Sequence, residues 1–295
     1  MTRPFDPPAP PFAHPPFAQI PQTCGTRWTR LLGDELLRVG DVGGRSGQGA
    51  PARQPAPLPG PRNRVVYAIG DVHGCADLLV HLHRAILADA ARRGRTEAVA
   101  VHLGDYVDRG PASRAVLDRL SGDPLPGLQK VYLCGNHDAW MRDFLTDARA
   151  GRGWLVNGGR ETLESYGVAC WGSDPSLREL RRLRSDLLAA MPERHRRFLD
   201  TLRLTWSEGA YLFVHAGLRP GVPLARQQPA DLTGIRRPFL TSRDRFDGAL
   251  VVHGHTVVTS PQVHANRIAI DTGAYATGRL TALVIDGDEI AFLQT

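Results

Sequence analysis

From residue 64 to about residue 150, short apolar runs alternate with longer stretches whose apolar residues recur at helical spacing. The runs 65–69, 98–103 and 131–133 have strand length and are almost wholly apolar, the pattern of strands covered on both faces. Leu78, Leu79, Leu82 and Ile86 place a helix over 77–91, with Asp77 near its start and Gly94 past its end. The next two helices are expected over 111–120 and 139–150. Asp71, Asp105 and Asn136 follow the three runs at intervals of 34 and 31 residues. Each interval suits a strand, a crossover helix and the next parallel strand, so three strand ends share one rim of a sheet.

Residues 154–202 read as helical and rich in Arg and Leu, broken at Asn157-Gly158-Gly159 and Ser165-Tyr166-Gly167. An inserted helical cap is expected there, with the charge run 178–184 as its solvated face. Beyond it, 202–206 and 211–215 form an expected hairpin. Runs 249–253, 267–270, 280–285 and 289–293 follow, the last two joined at Asp286-Gly287-Asp288. Together these strands predict a second, mixed sheet stacked on the first with helices outside both, an α/β sandwich.

The first 61 residues carry 13 of the 23 prolines and a Gly-rich patch at 43–47. Such composition buries too little apolar surface to offset ordering entropy, so a disordered leader (1–61) before one catalytic domain (62–295) is expected. Spacing of Leu31, Leu32, Leu36 and Leu37 allows a short amphipathic piece over 29–39. The composition is otherwise that of a globular protein, 42% apolar and 22% charged. A net charge of +6 suits anionic ligands, but the arginines are scattered and no nucleic-acid module is present, so nucleic acid is not the expected primary partner. Cys24, Cys75, Cys134 and Cys170 form no CxxC pair and read as small apolar residues in a reducing compartment. No run approaches the roughly 18 apolar residues of a spanning helix. The N-terminus lacks a secretory pattern, so a cytoplasmic protein without membrane contact is expected.

The polar residues that follow strands are Asp71, His73, Asp105, Asn136, His215 and His255. Imidazole, carboxylate and one carboxamide oxygen without thiolate suit Mn²⁺, Fe or Zn²⁺. Asp105 is read as the carboxylate that bridges two divalent ions, Asp71 and His73 completing one and Asn136, His215 and His255 the other. Such a pair makes hydroxide available at neutral pH and clamps the oxygens of an in-line displacement at phosphorus. Arg109, and Arg236 from the opposite side, supply guanidinium forks for phosphate oxygens. His137 is placed to protonate the leaving group, with Asp108 to orient the ring and raise its pKa. His253 is either a further ligand or the support of one. His81, His83, His102 and His264 read as packing or surface residues, and Asp138 and Asp271 as loop or supporting acids.

These residues stand in five motifs: GDVHG at 70–74, GDYVDRG at 104–110, GNHD at 135–138, HAG from His215 and GHT from Gly254. In this order they resemble the calcineurin-like metallophosphoesterases, specifically the phosphoprotein phosphatases of bacterial and phage type, over residues 64–295. The resemblance implies a four-layer sandwich of two β-sheets flanked by helices and the ligand and acid roles assigned above. This chain has Gly234 where bacterial members tend to have Trp, Asp138 where protein phosphatases have Glu, and Val257 where broader relatives have His. Relatives that split diadenosine tetraphosphate often lack the second aspartate of the central motif, which is present here as Asp108. The expectation is therefore a two-metal serine/threonine protein phosphatase type of enzyme acting on a phosphorylated protein or small phosphoester, most simply with Mn²⁺. A dinucleoside polyphosphate hydrolase is the alternative enzyme, and a binding module without turnover the alternative from another class.

Overall fold

A computed structural model of the chain describes residues 52–61, 63–94 and 97–295. The amphipathic stretch 29–39, Cys24 and the rest of the expected leader before residue 52 lie outside the described residues.

Strand β1 (Gln54–Pro55) precedes three parallel strands, β2 (Arg64–Ile69), β3 (Glu97–His102) and β4 (Gln129–Tyr132). Helices α1 (Ala76–Arg93) and α2 (Ser113–Leu120) make the crossovers, and α3 (Asn136–Thr146) follows β4. The continuous apolar runs have a simple cause. Val65, Tyr67, Ile69 and Ala100 pack under the helices, whereas Val66, Ala68, Val99 and Val101 face the other sheet. Both faces of each strand are therefore covered, and each fully buried aliphatic side chain contributes roughly 1.5–3 kcal/mol.

The cap comprises α4 (Gly151–Trp154), α5 (Arg160–Ser165), α6 (Leu177–Ala190) and α7 (Glu193–Asp200). Leu180, Leu183 and Leu187 line the buried side of α6, while Arg182 pairs with Glu179 and Asp186 on its wet side. Trp154, Leu163 and Leu180 join the core shared by α1 and α2, so the cap extends that core.

The second sheet holds β5 (Thr205–Glu208), β6 (Tyr211–Val214), β7 (Leu250–His253), β8 (Gln262–Val263) and β9 (Arg267–Ala269), in the order β5-β6-β7-β9-β8. Its inner face meets the first sheet through Phe213, Val252 and Ile268. Its outer face packs Leu212, Val214 and Val251 against Phe239 and against Leu232 of α8 (Pro229–Gly234). After β9 the chain turns through α9 (Ala274–Thr277) into β10 (Thr281–Asp286) and β11 (Glu289–Gln294). Two mixed sheets flanked by helices result, as expected.

Two expectations need correction. First, β10 and β11 leave the second sheet and join the first, whose order is β1-β11-β10-β2-β3-β4. Strand β10 pairs antiparallel with β2, Ala282 opposite Ile69, and so covers an edge that would otherwise present unpaired backbone groups. Its own faces fit an interior position, since Ala282 and Val284 enter the helix-side core and Leu283 and Ile285 the inter-sheet core. Second, residues 52–61 do not behave as leader. Gln54 pairs with Ile290, the Ala56 and Gly60 amides donate to Asp288 O and Gly287 O at 2.9 and 2.7 Å, and Tyr211 Oη donates to Leu58 O at 2.7 Å. Ala56 and Leu58 reach the inter-sheet core, and Pro55 sits on an edge strand, where a missing N–H is tolerated.

Among the described residues no helix is long and apolar enough to cross a membrane. A buried polar chain does lie below α1. Arg119 Nε donates to His83 Nδ1 at 2.9 Å, so the His83 proton sits on Nε2 and points at His102 Nε2, 3.0 Å away. Burial, above all, lowers the pKa of His83 to about 2 and of His102 to about 3. The folded values lie below the unfolded value near ~6.5, so the stability of the neutral pair is complete above that pH and is lost as pH falls through the folded values. Chemical denaturation of the metal-free protein at pH 7 and pH 5 should show a loss of about 2 kcal/mol per ring. A His83→Gln variant should lose less, and an equal loss in both would remove this pair as the cause.

Candidate metal centre

Loops at the ends of strands from both sheets meet in one buried cluster. The turn after β2 carries Asp71 and His73, the turn after β3 carries Asp105, Asp108 and Arg109, and α3 opens with Asn136 and His137. His215 and His255 follow β6 and β7. Among the described residues six without a glycine side chain have positive φ, and five of them are here: His73, Asp105, Asp108, Arg109 and His255. Backbone of this kind aims consecutive side chains at one point, at a cost that persists only where surroundings enforce it.

Enforcement is visible around Asp105 and Asp138. The Asp138 carboxylate accepts from the amides of Gly135, Asp105 and Tyr106 at 2.8, 2.7 and 2.9 Å, tying the second and third loops together. Asp105 Oδ1 accepts from His137 N at 3.0 Å, and Asp71 Oδ2 accepts from His255 N at 3.0 Å. A Cβ at Gly135 would strike Asp105 Oδ1, and one at Gly254 would strike Asp71 Oδ1. Both motif glycines are therefore required by close approach of the acids.

The ring tautomers follow from the backbone. His73 Nδ1 donates to Val107 O at 2.9 Å and His215 Nδ1 to Leu103 O at 3.0 Å, which turns each Nε2 inward. Both Nε2 atoms lie 3.4 Å from Asp105 Oδ2, and Asn136 Oδ1 lies 3.2 Å from His215 Nε2. With both rings neutral, the form that metal binding requires, acceptors would face acceptors. Asp71 Oδ1 and His255 Nε2 are buried without a hydrogen-bond partner, which leaves two further lone pairs unspent. Burial would lower the His215 pKa, but the charges of Asp105 and then Asp71 outweigh it and raise it to about 9. Buried lone pairs in excess of donors, all nitrogen or oxygen, fit divalent cations. Candidate ligand atoms of His73, Asp105 and His137, and of Asp105, His215 and His255, lie within 4.8 Å of one another in each trio, with Asp105 common to both.

The expected six are all in this cluster, although Asp71 lies outside both trios and the ring of His137 lies inside one. His253 belongs to neither trio, and its Nε2 is buried without a hydrogen-bond partner. Its Nδ1 lies 3.0 Å from Gly254 O and its ring stands edge-on to Phe239, 5.1 Å between centroids. Asp271, buried beside Asp71, accepts from Gly273 N at 2.9 Å.

Arg109 and His137 share the rim. The guanidinium donates to His73 Nε2 and His137 Nε2, each at 3.1 Å, and stands 4.8 Å from the Tyr275 ring centroid. Arg236 Nη2 lies 3.5 Å from His255 O, and desolvation followed by the Arg109 charge lowers its pKa. Two neighbouring guanidinium groups make this mouth a place for an anion. His137 Nδ1 donates to Asp108 Oδ2 at 2.7 Å, as expected, but the ring pKa is not raised. Burial lowers it to about 4; Asp105 opposes that and Arg109 reinforces it.

Three partners of Asp108 were not among the residues singled out from the sequence. Trp154 Nε1 lies 3.0 and 2.9 Å from its two oxygens, Thr162 Oγ1 donates to Oδ1 at 2.7 Å, and Ser113 Oγ accepts from its amide at 3.0 Å. Burial pushes the Asp108 carboxyl well up, and the Thr162 and Trp154 hydrogen bonds are the largest effects against it. The available signal was the Asn157-Gly158-Gly159 break, because Gly158 O accepts from Arg109 N at 3.2 Å.

Known proteins are similar to this chain in sequence and fold. A serine/threonine-protein phosphatase 2 of Salmonella typhimurium is 26% identical over 230 residues, covering 74% of this chain and 91% of its own. An asymmetrical bis(5'-nucleosyl)-tetraphosphatase of Anoxybacillus flavithermus is 30% identical over 233 residues, covering 73% and 88%. A crystal structure of a mutant cold-active protein tyrosine phosphatase superposes with a TM-score of 0.52 at 17% identity over 78% of this chain and 79% of that one, a likeness of fold. The sequence profile of the calcineurin-like phosphoesterases matches residues 64–269, and the chain belongs to that family of metal-dependent phosphoester hydrolases.

Proposed function

We propose that this enzyme hydrolyses phosphomonoesters in the manner of a serine/threonine protein phosphatase, with Asp71, His73, Asp105, Asn136, His215 and His255 holding two divalent ions, Mn²⁺ foremost. When bound, such a pair lowers the pKa of a water and neutralises phosphoryl oxygens. Arg109 and Arg236 orient the phosphate from opposite sides, their forks matching its oxygens. Phosphate draws the Arg109 guanidinium off His137 Nε2, which then takes up a proton from solvent. As the P–O bond of the ester breaks, the leaving oxygen takes that proton from Nε2. Asp108 holds the other ring nitrogen and keeps Nε2 aimed outward. A phosphate dianion on Arg109 also cancels the charge that depresses the ring, so the proton is more firmly held once substrate is in place.

The observation that carries this reading is the fully buried His137–Asp108 pair at 2.7 Å. An alkoxide, the leaving group of phosphoserine or phosphothreonine, needs a proton, whereas a nucleotide phosphate leaves readily without one. The tetraphosphatases among the relatives favour a second reading, hydrolysis of a dinucleoside polyphosphate, which the paired guanidinium groups also suit. A panel of phosphoserine, phosphothreonine and phosphotyrosine peptides and diadenosine tetraphosphate, each with defined metals, separates the two. Turnover of the serine and threonine peptides should lead and should vanish with a chelator. Preferential cleavage of the tetraphosphate would establish the second reading, and chelator-resistant hydrolysis would end both.

A further inference from the structure

Asp108 and Arg109 are consecutive residues at φ 73° and 68°, a conformation that non-glycine side chains rarely adopt. What holds them comes from the cap. Thr162 Oγ1, on α5, accepts from the Asp108 amide at 2.9 Å and donates to that residue's own carboxylate at 2.7 Å, clipping its backbone and side chain together. Trp154, at the end of α4, directs its indole N–H between both carboxylate oxygens. Gly158, in the turn between these helices, accepts from the Arg109 amide, and a Cβ there would come within 2.8 Å of Arg109 N and Cγ. With His137 Nδ1, three donors saturate a carboxylate that has no access to water. Neither Trp154 nor Thr162 hydrogen-bonds the ligand cluster or the rim arginines; the indole N–H meets only the Asp108 carboxylate, and Thr162 meets Asp108 and Ser113, whose hydroxyl in turn accepts from the Asp108 amide.

We propose that Trp154 and Thr162 are positioning residues for proton delivery: they fix the Asp108 carboxylate and, through it, the angle at which His137 meets the leaving oxygen. The cap thereby sets the efficiency of protonation besides covering the core. This inference rests on the phosphomonoesterase reading above.

Leaving-group dependence tests it. Thr162→Val removes the hydroxyl at nearly constant volume, Thr162→Ser keeps it, and Trp154→Phe removes only the indole donor. Removing a group that orients a functional side chain costs about 10-fold or more in activity. Thr162→Val and Trp154→Phe should therefore lower kcat on a phosphoserine peptide by about 10-fold, with KM within about two-fold, and lower kcat on p-nitrophenyl phosphate far less. Thr162→Ser should recover most of the loss, and metal content should match the wild type in all three. Equal losses on both esters, loss confined to unfolded or metal-poor protein, or no loss at all would overturn the proposal. A wild-type enzyme that hydrolyses neither ester with any divalent metal would remove the phosphomonoesterase reading itself, and this inference with it.

Discussion

Asp105→Asn is expected to cut kcat/KM for an aryl phosphate on the order of 10³-fold, because ion-assisted charge stabilisation is worth several kcal/mol and each tenfold corresponds to ~1.4. The substitution is isosteric, yet its consequence follows from hydrogen-bond direction. Oδ1 must still accept from the His137 amide, so the new NH₂ takes the place of Oδ2. There it donates to the inward lone pairs of His73 and His215, each 3.4 Å from that position. A bridging ligand becomes a plug that satisfies the two rings by itself. Elemental analysis of the purified variant should accordingly show metal well below the wild-type content. Wild-type metal content with an undiminished rate would show that Asp105 does not hold the ions.

His137→Ala should have the next largest effect, and an uneven one. A positioned general acid contributes about 10² to 10⁴-fold. The loss should approach that range for phosphoserine, whose leaving oxygen is strongly basic. It should be many times smaller for p-nitrophenyl phosphate, whose leaving group departs as a stable anion. The Asp108 carboxylate left behind loses its imidazole donor but retains Trp154 and Thr162, so the variant should stay folded. Plotting log kcat against leaving-group pKa for both proteins measures this directly. Parallel lines would assign the proton to another donor.

The residues of the cluster were legible because each follows a strand within a few positions and sits beside glycines that close approach demands, as at Gly135 and Gly254. That is local information, and local information is what one sequence carries best. The sheet to which β10 and β11 belong was not legible, because it depends on which distant strand, β2 or β9, offers a free edge. The seating of 52–61 was hidden for another reason. Proline content argued against order, while the two groups that matter, the Leu58 side chain and carbonyl, meet partners as far away as Tyr211. Trp154 and Thr162 escaped notice because, apart from the Asn157-Gly158-Gly159 break between them, they read like any other core residues of a helical cap. The rise expected for the His137 pKa rested on one neighbour, Asp108, and left out the stronger effect of removing the ring from water.

One arrangement reaches beyond catalysis. Asp71, His73, Asp105 and Asn136 hang from one β-layer and His215 and His255 from the other. If these side chains share ions, coordination is the bolt between two plates whose facing surfaces meet mainly through apolar contacts, which have no preferred direction. Tolerance for sliding in such contacts is generous, whereas tolerance in a coordination shell is a few tenths of an ångström. The cluster then works as a gauge: small misalignment of the plates, wherever it originates, shows as weakened ion retention long before the protein melts.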